Sequence, residues 1–400
     1  MKRTLALTEA GSFLRLERGA LQLERPGQGP QVIDLDSVNE LILVGRVDVT
    51  GAVVRRCLRV GVPIVLLDGL GRYLGRLVGP TRRHAALRIA QVQAALDPAR
   101  AVELVRVIVR TKIQNQRSLL LRRQRTVQEP DVARALARMR QLDGELDGAA
   151  TVDVIRGYEG AAAAAYFGVF GLLLRNPTFS FEGRNRRPPR DPVNAMLSFG
   201  YTVLGSLLES EIEAVGLDPA VGFLHLPAYG RPSLMLDLLE ELRPVVDRLT
   251  LKLVNLGQLT PGDFGPPEVP TEDPGYDDVP DTAGVVWADS PEDLGLEAPA
   301  AERPQTVVEP FRVVGEAWVE PGLRPPGPDG PAPKAGAVYL KPGGRKLFLA
   351  ALFEALRDHV YDPIDDARIP LRLGMRRQVW RFVQALMDPE IPYVGLKIEP

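Results

Sequence analysis

Residues 156–165, which read RGYEGAAAAA, place Glu159 between small residues and directly before a run of alanines. Small side chains let neighbouring helices approach closely, and a carboxylate on such a packed helix is costly unless it is paired or bound to a metal. A glutamate on a solvated helix face is the alternative interpretation. The stretch predicts a closely packed helix over residues 152–175 and makes Glu159 a candidate metal ligand.

A second stretch, residues 222–244, contains one histidine and two carboxylates at helical spacing. Asp237 and Glu240 are three positions apart, so a helix over 232–242 would carry them on one face, about one turn apart. Adjacent carboxylates repel each other, and a bound cation or the nearby arginines would be needed to hold them together. With the imidazole of His225 they form a set that suits Mn²⁺ or Mg²⁺. Such a site can polarise a phosphate and activate water or a sugar hydroxyl.

His225 and Asp237 can each also be interpreted without a metal. His225 lies between apolar residues, where a histidine is often a hydrogen-bonded part of the core. Asp237 would lie near a helix N-terminus, where a carboxylate interacts favourably with the helix dipole. The single cysteine, Cys57, is predicted to be a small buried apolar residue and leaves no cysteine-based zinc site.

A loop predicted at residues 181–192 is rich in arginine. Arginines bind phosphates through paired, salt-sensitive contacts, which would suit nucleic acid. A solvated basic loop is the alternative. The candidate phosphate-binding residues of this loop and of the stretch before Glu240 are Arg184, Arg186, Arg187, Arg190 and Arg231.

The net charge of −2 conceals an uneven distribution along the chain. Residues 261–333 contain 16 Asp and Glu against three Arg, so the remainder of the chain is strongly basic. A basic body with an acidic insert is compatible with nucleic-acid binding by the body. The absence of a long apolar run and of a secretory leader predicts a cytoplasmic protein without a membrane segment.

Periodicity predicts an α+β protein with a β-rich N-terminal domain, residues 1–80, followed by a mostly helical catalytic domain. Apolar runs bounded by turn residues characterise the first part, and a 3.6-residue period begins near residue 82. The helical domain is expected to comprise 81–264 and 336–400. Between them, 265–335 reads as an acidic, proline-rich insertion in which only 307–319 favours strands.

The order of these motifs resembles the CRISPR-associated Cas1 family of adaptation integrases and endonucleases. The resemblance covers residues 1–264 and, more weakly, 335–400, and it includes the stretch KIQNQ at 112–116. The main matching motifs are YEG at 158–160, GRNRRPP at 183–189, DPVN at 191–194, GLDP at 216–219, FLH at 223–225, RPSL at 231–234 and DLLEELRP at 237–244.

The resemblance implies that Glu159, His225 and Glu240 bind the metal, with Asp237 as an auxiliary carboxylate. It implies a homodimer built by the N-terminal domain and a Cas2 partner subunit. It also implies the insertion of new spacers into the CRISPR array, in which a 3′-hydroxyl of double-stranded DNA attacks a phosphodiester. A stand-alone metal-dependent repair nuclease and a non-catalytic DNA-binding scaffold are the two alternatives that the residues alone leave open.

Overall fold

Strands occupy the first 80 residues and helices dominate the rest of the part of the chain that the structure describes. The structure is a computed structural model that describes residues 3–79, 84–126, 128–185, 188–228, 230–266, 336–362 and 364–398. The strands predicted at 307–319 lie outside these ranges. Residues 1–266 and 336–400 group into one unit. The predicted α+β class, with its β-rich beginning, is confirmed.

Two four-stranded sheets form the N-terminal region, in the orders β1-β5-β7-β8 and β4-β3-β2-β6. In the first sheet, β1, β5 and β7 are parallel and β8 is antiparallel to β7. Two short antiparallel pairs, β9 with β10 and β11 with β12, lie later in the chain. The strands are β1 (Arg3–Leu7), β2 (Ser12–Glu17), β3 (Ala20–Glu24), β4 (Gln31–Ile33), β5 (Val38–Val44), β6 (Val47–Val49), β7 (Ile64–Leu67), β8 (Tyr73–Leu77), β9 (Phe264–Gly265), β10 (Tyr339–Leu340), β11 (His359–Asp362) and β12 (Ala367–Pro370).

The first sheet separates two hydrophobic cores, which explains the nearly continuous apolar sequence of β5. Leu41 and Leu43 face a smaller core that includes Cys57 of the first helix. Ile42 and Val44 point the other way, into the large core of the helical region. Strands buried on both faces read as unbroken apolar runs because successive side chains alternate between the faces. The prediction that Cys57 is buried is confirmed.

Nine helices are present in the described ranges, and side-chain caps define the start of several of them. Thr50, Thr151 and Asp191 each accept a hydrogen bond from a backbone N–H in the first helical turn, which satisfies a donor that has no partner within the helix. The helices are α1 (Gly51–Val60), α2 (Ala85–Leu96), α3 (Pro98–Thr126), α4 (Pro130–Glu145), α5 (Val152–Phe170), α6 (Pro192–Val215), α7 (Ser233–Asn255), α8 (Pro342–Ala355) and α9 (Leu371–Met387).

Two of the predicted helices differ from those observed. The helix expected over 152–175 ends at Phe170, and the one expected over 232–242 continues as α7 to Asn255, past Pro244. Proline in a helix interior removes one backbone hydrogen bond. The helix continues because α7 packs against α3 and α6 and is buried along almost its whole length.

Buried ion pairs fix the N-terminal sheet to the helices. Arg372 at the start of α9 lies between Glu40 of β5 and Glu211 of α6, with N···O distances of 2.7 and 2.8 Å. The two carboxylates are almost fully buried. Within the described ranges, no helix has both the length and the apolar composition that crossing a bilayer requires.

Candidate active site

Glu159 and Glu240 come from different helices and converge on one buried lysine. Glu159 lies in α5 and Glu240 in α7, and both helices pack against α3, which carries Lys112. The Lys112 ammonium donates to Glu159 Oε1 and lies 2.5 Å from Glu240 Oε2. The side chains of Lys112 and Glu240 are only 4% and 5% exposed. Glu159 is only partly buried, with its side chain 20% exposed, and its carboxylate accepts a hydrogen bond from the Lys112 ammonium.

A second buried cation, Arg243, supports Glu240 from one turn further along α7. Its Nε lies 2.9 Å from Glu240 Oε2, and its guanidinium lies 4.6 Å from the centre of the Tyr201 ring. The Tyr201 hydroxyl donates to the fully buried Asp247, which also accepts from Tyr166 at 2.9 Å. Glu240 thus lies at one end of a chain of buried polar contacts that fixes its orientation.

The charges of Lys112 and Glu240 stabilise each other. Burial would raise the pKa of Glu240, but Arg243 and Lys112 outweigh it and hold that pKa below its usual range. Burial would also lower the pKa of Lys112, but Glu240 and Glu159 overcome this and raise it. At neutral pH both groups are therefore charged, and the site contains an ionised carboxylate in a dry environment.

Asp237 fixes the position of His225. Its Oδ2 accepts the backbone N–H groups of Phe223 and Leu224 at 2.6 and 3.0 Å, and its Oδ1 accepts that of His225 at 2.9 Å. His225 Nδ1 lies 2.7 Å from the same Oδ1, which leaves Nε2 as the ring nitrogen that does not face Asp237. A Cβ at Gly222 would lie 3.0 Å from Asp237 Oδ2 and 2.6 Å from Ser233 Cβ, so glycine permits this close approach.

Arg156 connects this loop to the helix that carries Glu159. Its Nε and Nη2 donate to the Leu224 carbonyl at 3.2 and 2.8 Å. Three connections therefore bring the predicted ligands to neighbouring elements: Arg156 joins α5 to the loop, Asp237 joins the loop to α7, and Lys112 joins α7 to α5.

Two of the three predicted ligands, Glu159 and Glu240, are arranged so that they could share one divalent cation, whereas the three together are not yet close enough. Within the described ranges, no three His, Cys, Asp and Glu side chains lie close enough together to bind one metal ion. Glu159 and Glu240, however, already converge on the Lys112 ammonium, so their oxygens can share one cation. Carboxylate oxygens with one imidazole nitrogen are donors that Mg²⁺ and Mn²⁺ accept. Asp237 uses both oxygens for the loop and serves as a support for His225.

The candidate DNA-binding arginines do not form one group. Arg184 donates to Asn194 Oδ1 at 2.7 Å and to Ser198 Oγ at 3.1 Å, so its guanidinium anchors the loop to α6. Arg190 and Arg231 are exposed. The two remaining arginines of the loop, at 186 and 187, lie outside the described residues.

Comparison with known proteins identifies the family. The sequence model described as "CRISPR associated protein Cas1" matches residues 5–269. The chain is 43% identical to CRISPR-associated endonuclease Cas1 2 of Rhodospirillum rubrum, over 65% of this chain and 78% of the relative. It is 36% identical to CRISPR-associated endonuclease Cas1 1 of Chlorobaculum tepidum, over 78% of this chain and 89% of the relative.

Solved structures show the same fold. A CAS1 protein from Thermotoga maritima superposes with a TM-score of 0.63 at 21% sequence identity, and the superposition covers 97% of each chain. The resemblance found in the sequence is confirmed by the family match and by these relatives. The chain belongs to the CRISPR-associated Cas1 family.

Proposed function

We propose that this protein is a metal-dependent DNA integrase and endonuclease of CRISPR adaptation. It inserts new spacers into the CRISPR array when the 3′-hydroxyl of a double-stranded prespacer attacks an array phosphodiester. Membership of the Cas1 family and relatives named as endonucleases support this function. The observation that carries it is the pair of carboxylates formed by the partly buried Glu159 and the buried Glu240, which converge on one cation beside basic residues.

In this proposal Glu159, His225 and Glu240 hold Mg²⁺ or Mn²⁺. When bound, the ion supplies positive charge that polarises the phosphate and lowers the pKa of the attacking hydroxyl. His225 contributes Nε2, because Nδ1 faces Asp237. Glu240 contributes an ionised oxygen, because Arg243 keeps the pKa of its carboxyl low.

The surrounding residues orient the reacting groups and exclude water. The carboxylate of Glu240 lies in a dry environment, where electrostatic interactions are stronger than in solvent. Arg243 is held over Tyr201 and therefore adds a fixed positive charge near the site of attack. Hydrolytic nicking is the same displacement with water in place of the sugar hydroxyl, so one site serves both activities.

The proposed partners are double-stranded DNA, a Cas2 subunit and a second copy of this chain. Family membership supports the DNA substrate and the Cas2 subunit. We assign dimerisation to residues 1–80, catalysis to 81–264 with 336–400, and no catalytic role to the insertion 265–335. Four arginines are proposed to contact DNA backbone phosphates without reading sequence: the exposed Arg190 and Arg231, and Arg186 and Arg187, which lie outside the described residues.

A joining assay tests the proposed function. A short duplex with free 3′-hydroxyls is incubated with a supercoiled plasmid that carries the repeat array, with Mn²⁺ or Mg²⁺, with and without the Cas2 subunit. Glu159→Gln, His225→Ala and Glu240→Gln should each reduce joining and nicking at least about a hundredfold, since each removes one proposed ligand. His359→Ala, which removes an exposed histidine of β11, is the matched control.

The assay separates the proposed function from both alternatives. Metal-dependent hydrolysis without any joining, unaffected by Cas2, would identify a repair nuclease. DNA binding without metal-dependent cleavage or joining would identify a scaffold. Joining that survives any one of the three ligand substitutions would contradict the ligand assignment.

A further inference from the structure

The positive charge between the carboxylates of Glu159 and Glu240 is the ammonium group of Lys112. Lys112 reaches them from α3, and its side chain is almost completely buried. Within the described part of the site, two carboxylates, Glu159 and Glu240, are balanced by two cations, Lys112 and Arg243. These four side chains therefore carry no net charge before a metal binds, apart from the adjoining Asp237–His225 pair. Without this neutralisation, the carboxylates of the partly buried Glu159 and the buried Glu240 would repel each other.

A divalent ion at the same carboxylates would change this balance. It would lie within a few ångströms of the Lys112 ammonium and would leave the group with excess positive charge. Like charges at about 4 Å repel strongly in a partly buried environment. Arg243 cannot move easily, because its guanidinium packs on Tyr201. Lys112 has a flexible four-carbon stem, and its polar contacts within the described ranges are those to the two carboxylates.

We propose that Lys112 is an internal counter-ion that exchanges with the catalytic metal. The inference rests on the proposed function, since it concerns the same ligands. The ammonium holds Glu159 and Glu240 together in the metal-free protein and leaves them when the metal binds. The displaced positive charge is then available to a phosphate of the DNA. Lys112 thus weakens metal binding in the absence of DNA and couples metal loading to the substrate.

This coupling has a direct thermodynamic consequence. If bound phosphates accept the charge of Lys112, DNA must tighten metal binding, and the metal must tighten DNA binding by the same factor. A neutral residue at position 112 removes the competition. The metal then binds tightly whether or not DNA is present, and DNA adds less to its affinity.

Calorimetric titration of Mn²⁺ into the full-length protein, with and without a short duplex, tests the proposal. Lys112→Met and Lys112→Gln should bind Mn²⁺ at least about tenfold more tightly than wild type without DNA. The duplex should tighten Mn²⁺ binding by wild type at least about tenfold, and by the two neutral variants clearly less. Lys112→Arg keeps the charge and should stay near wild type. Lys252→Met removes an exposed lysine of α7 and should change nothing.

Thermal unfolding provides an independent readout of the same exchange. The two neutral variants should melt at a lower temperature than wild type without metal, because the carboxylates lose their counter-ion. Saturating Mn²⁺ should raise their melting temperature more than that of wild type. Neutral variants that remain unfolded even with Mn²⁺ would overturn the proposal, because the lysine charge would then be needed together with the metal.

Glu159→Gln distinguishes a failure of the inference from a failure of the proposed function. If Glu159→Gln abolishes Mn²⁺ binding but Lys112→Met and Lys112→Gln bind Mn²⁺ with the affinity of wild type, only the proposed exchange by Lys112 is overturned. If wild type binds no Mn²⁺, or if Glu159→Gln leaves binding unchanged, the ligand assignment fails and the exchange fails with it.

Discussion

Asp237 is the residue on which the geometry of His225 depends. It accepts three backbone N–H groups of the loop and faces the imidazole Nδ1, and its carboxylate is fully buried. Asp237→Asn turns one accepting oxygen into an NH₂ group that faces backbone donors. We expect the free energy of unfolding to fall by about 3 kcal/mol, and Mn²⁺ affinity to fall as the imidazole loses its orientation. Urea denaturation and a metal titration measure the two effects.

Asp131→Asn is the control, because this aspartate is exposed at the start of α4. Asp131→Asn should leave the free energy of unfolding and the free energy of Mn²⁺ binding within about 0.5 kcal/mol of wild type. The role of Asp237 is contradicted if its asparagine variant is as stable as the control and binds the metal equally well.

The raised pKa of Asp247 leads us to expect a specific pH dependence of the free energy of unfolding. Burial raises its pKa from 3.8 to about 6, although the hydroxyls of Tyr201 and Tyr166 oppose the change. The folded state therefore keeps this proton while the unfolded state loses it between about pH 4 and pH 6. The stabilising contribution of protonated Asp247 is thus fully present below pH 4. It is lost as the pH rises to 6, and the free energy of unfolding falls by about 3 kcal/mol.

Asp247→Asn cannot titrate, so this loss is absent in the variant. The variant should gain stability relative to wild type by about 2–3 kcal/mol between pH 4 and pH 7, whatever its offset at any single pH. Denaturant unfolding of both proteins across this range is the measurement. Parallel stability curves would show that folding does not raise the pKa of Asp247 and would contradict this prediction.

Sequence reasoning located the candidate ligands but missed the residues that support them. Asp237 and Glu240 are recognisable because their spacing lies within one helix. Lys112 and Glu159 are 47 positions apart, and Arg156 contacts the carbonyl of a residue 68 positions away. Contacts between helices depend on how the helices pack, and helix packing cannot be predicted from the local periodicity of the sequence. A lysine within an apolar face of α3 was the available signal.

At the scale of elements, Arg372 joins β5, α6 and α9 through Glu40 and Glu211. Arg372→Met keeps the apolar stem but leaves both buried carboxylates without this cation. We expect the free energy of unfolding to fall by about 3–5 kcal/mol. Arg248→Met is the control, because its pair with Asp358 is partly exposed, and it should cost less than about 1 kcal/mol. Equal effects of the two substitutions would contradict a joining role for Arg372.

The start of α6 was predictable from the sequence, whereas the ends of α5 and α7 were not. Asp-Pro at 191–192 marks the start of α6, where Asp191 accepts the Asn194 N–H at 2.8 Å. The helix predicted over 232–242 continues past Pro244 because α7 is buried along most of its length. The hairpin of β11 and β12 was also missed, since its two short strands lie in a segment that the sequence analysis assigned to helices. Tertiary packing outweighs local preference at both places.

At the scale of the whole molecule, the acidic insertion begins and ends at neighbouring strands. Gly265 pairs with Tyr339, and Phe264 pairs with Leu340. A short linker can therefore join β9 to β10 without moving either strand. We predict that replacing residues 268–332 with a short Gly/Ser linker leaves metal-dependent joining within about threefold of the full-length chain, since lengthening or shortening such a loop changes its closure entropy only slowly.

Size-exclusion chromatography of the shortened protein is the control for this replacement. It should elute as the same oligomer as the full-length protein. Aggregation or dissociation would show that Phe311 and Trp318, which lie outside the described residues, belong to a core of the folded protein.

We propose that one metal site, formed by α5, α7 and the loop before α7, performs the chemistry. Anomalous X-ray scattering from crystals grown with Mn²⁺ and a DNA duplex tests it most directly. We predict a manganese peak bound by Glu159, Glu240 and Nε2 of His225, with the Lys112 ammonium moved away from both carboxylates. A manganese peak on other residues, or none at these three in crystals that contain the DNA, would contradict the account.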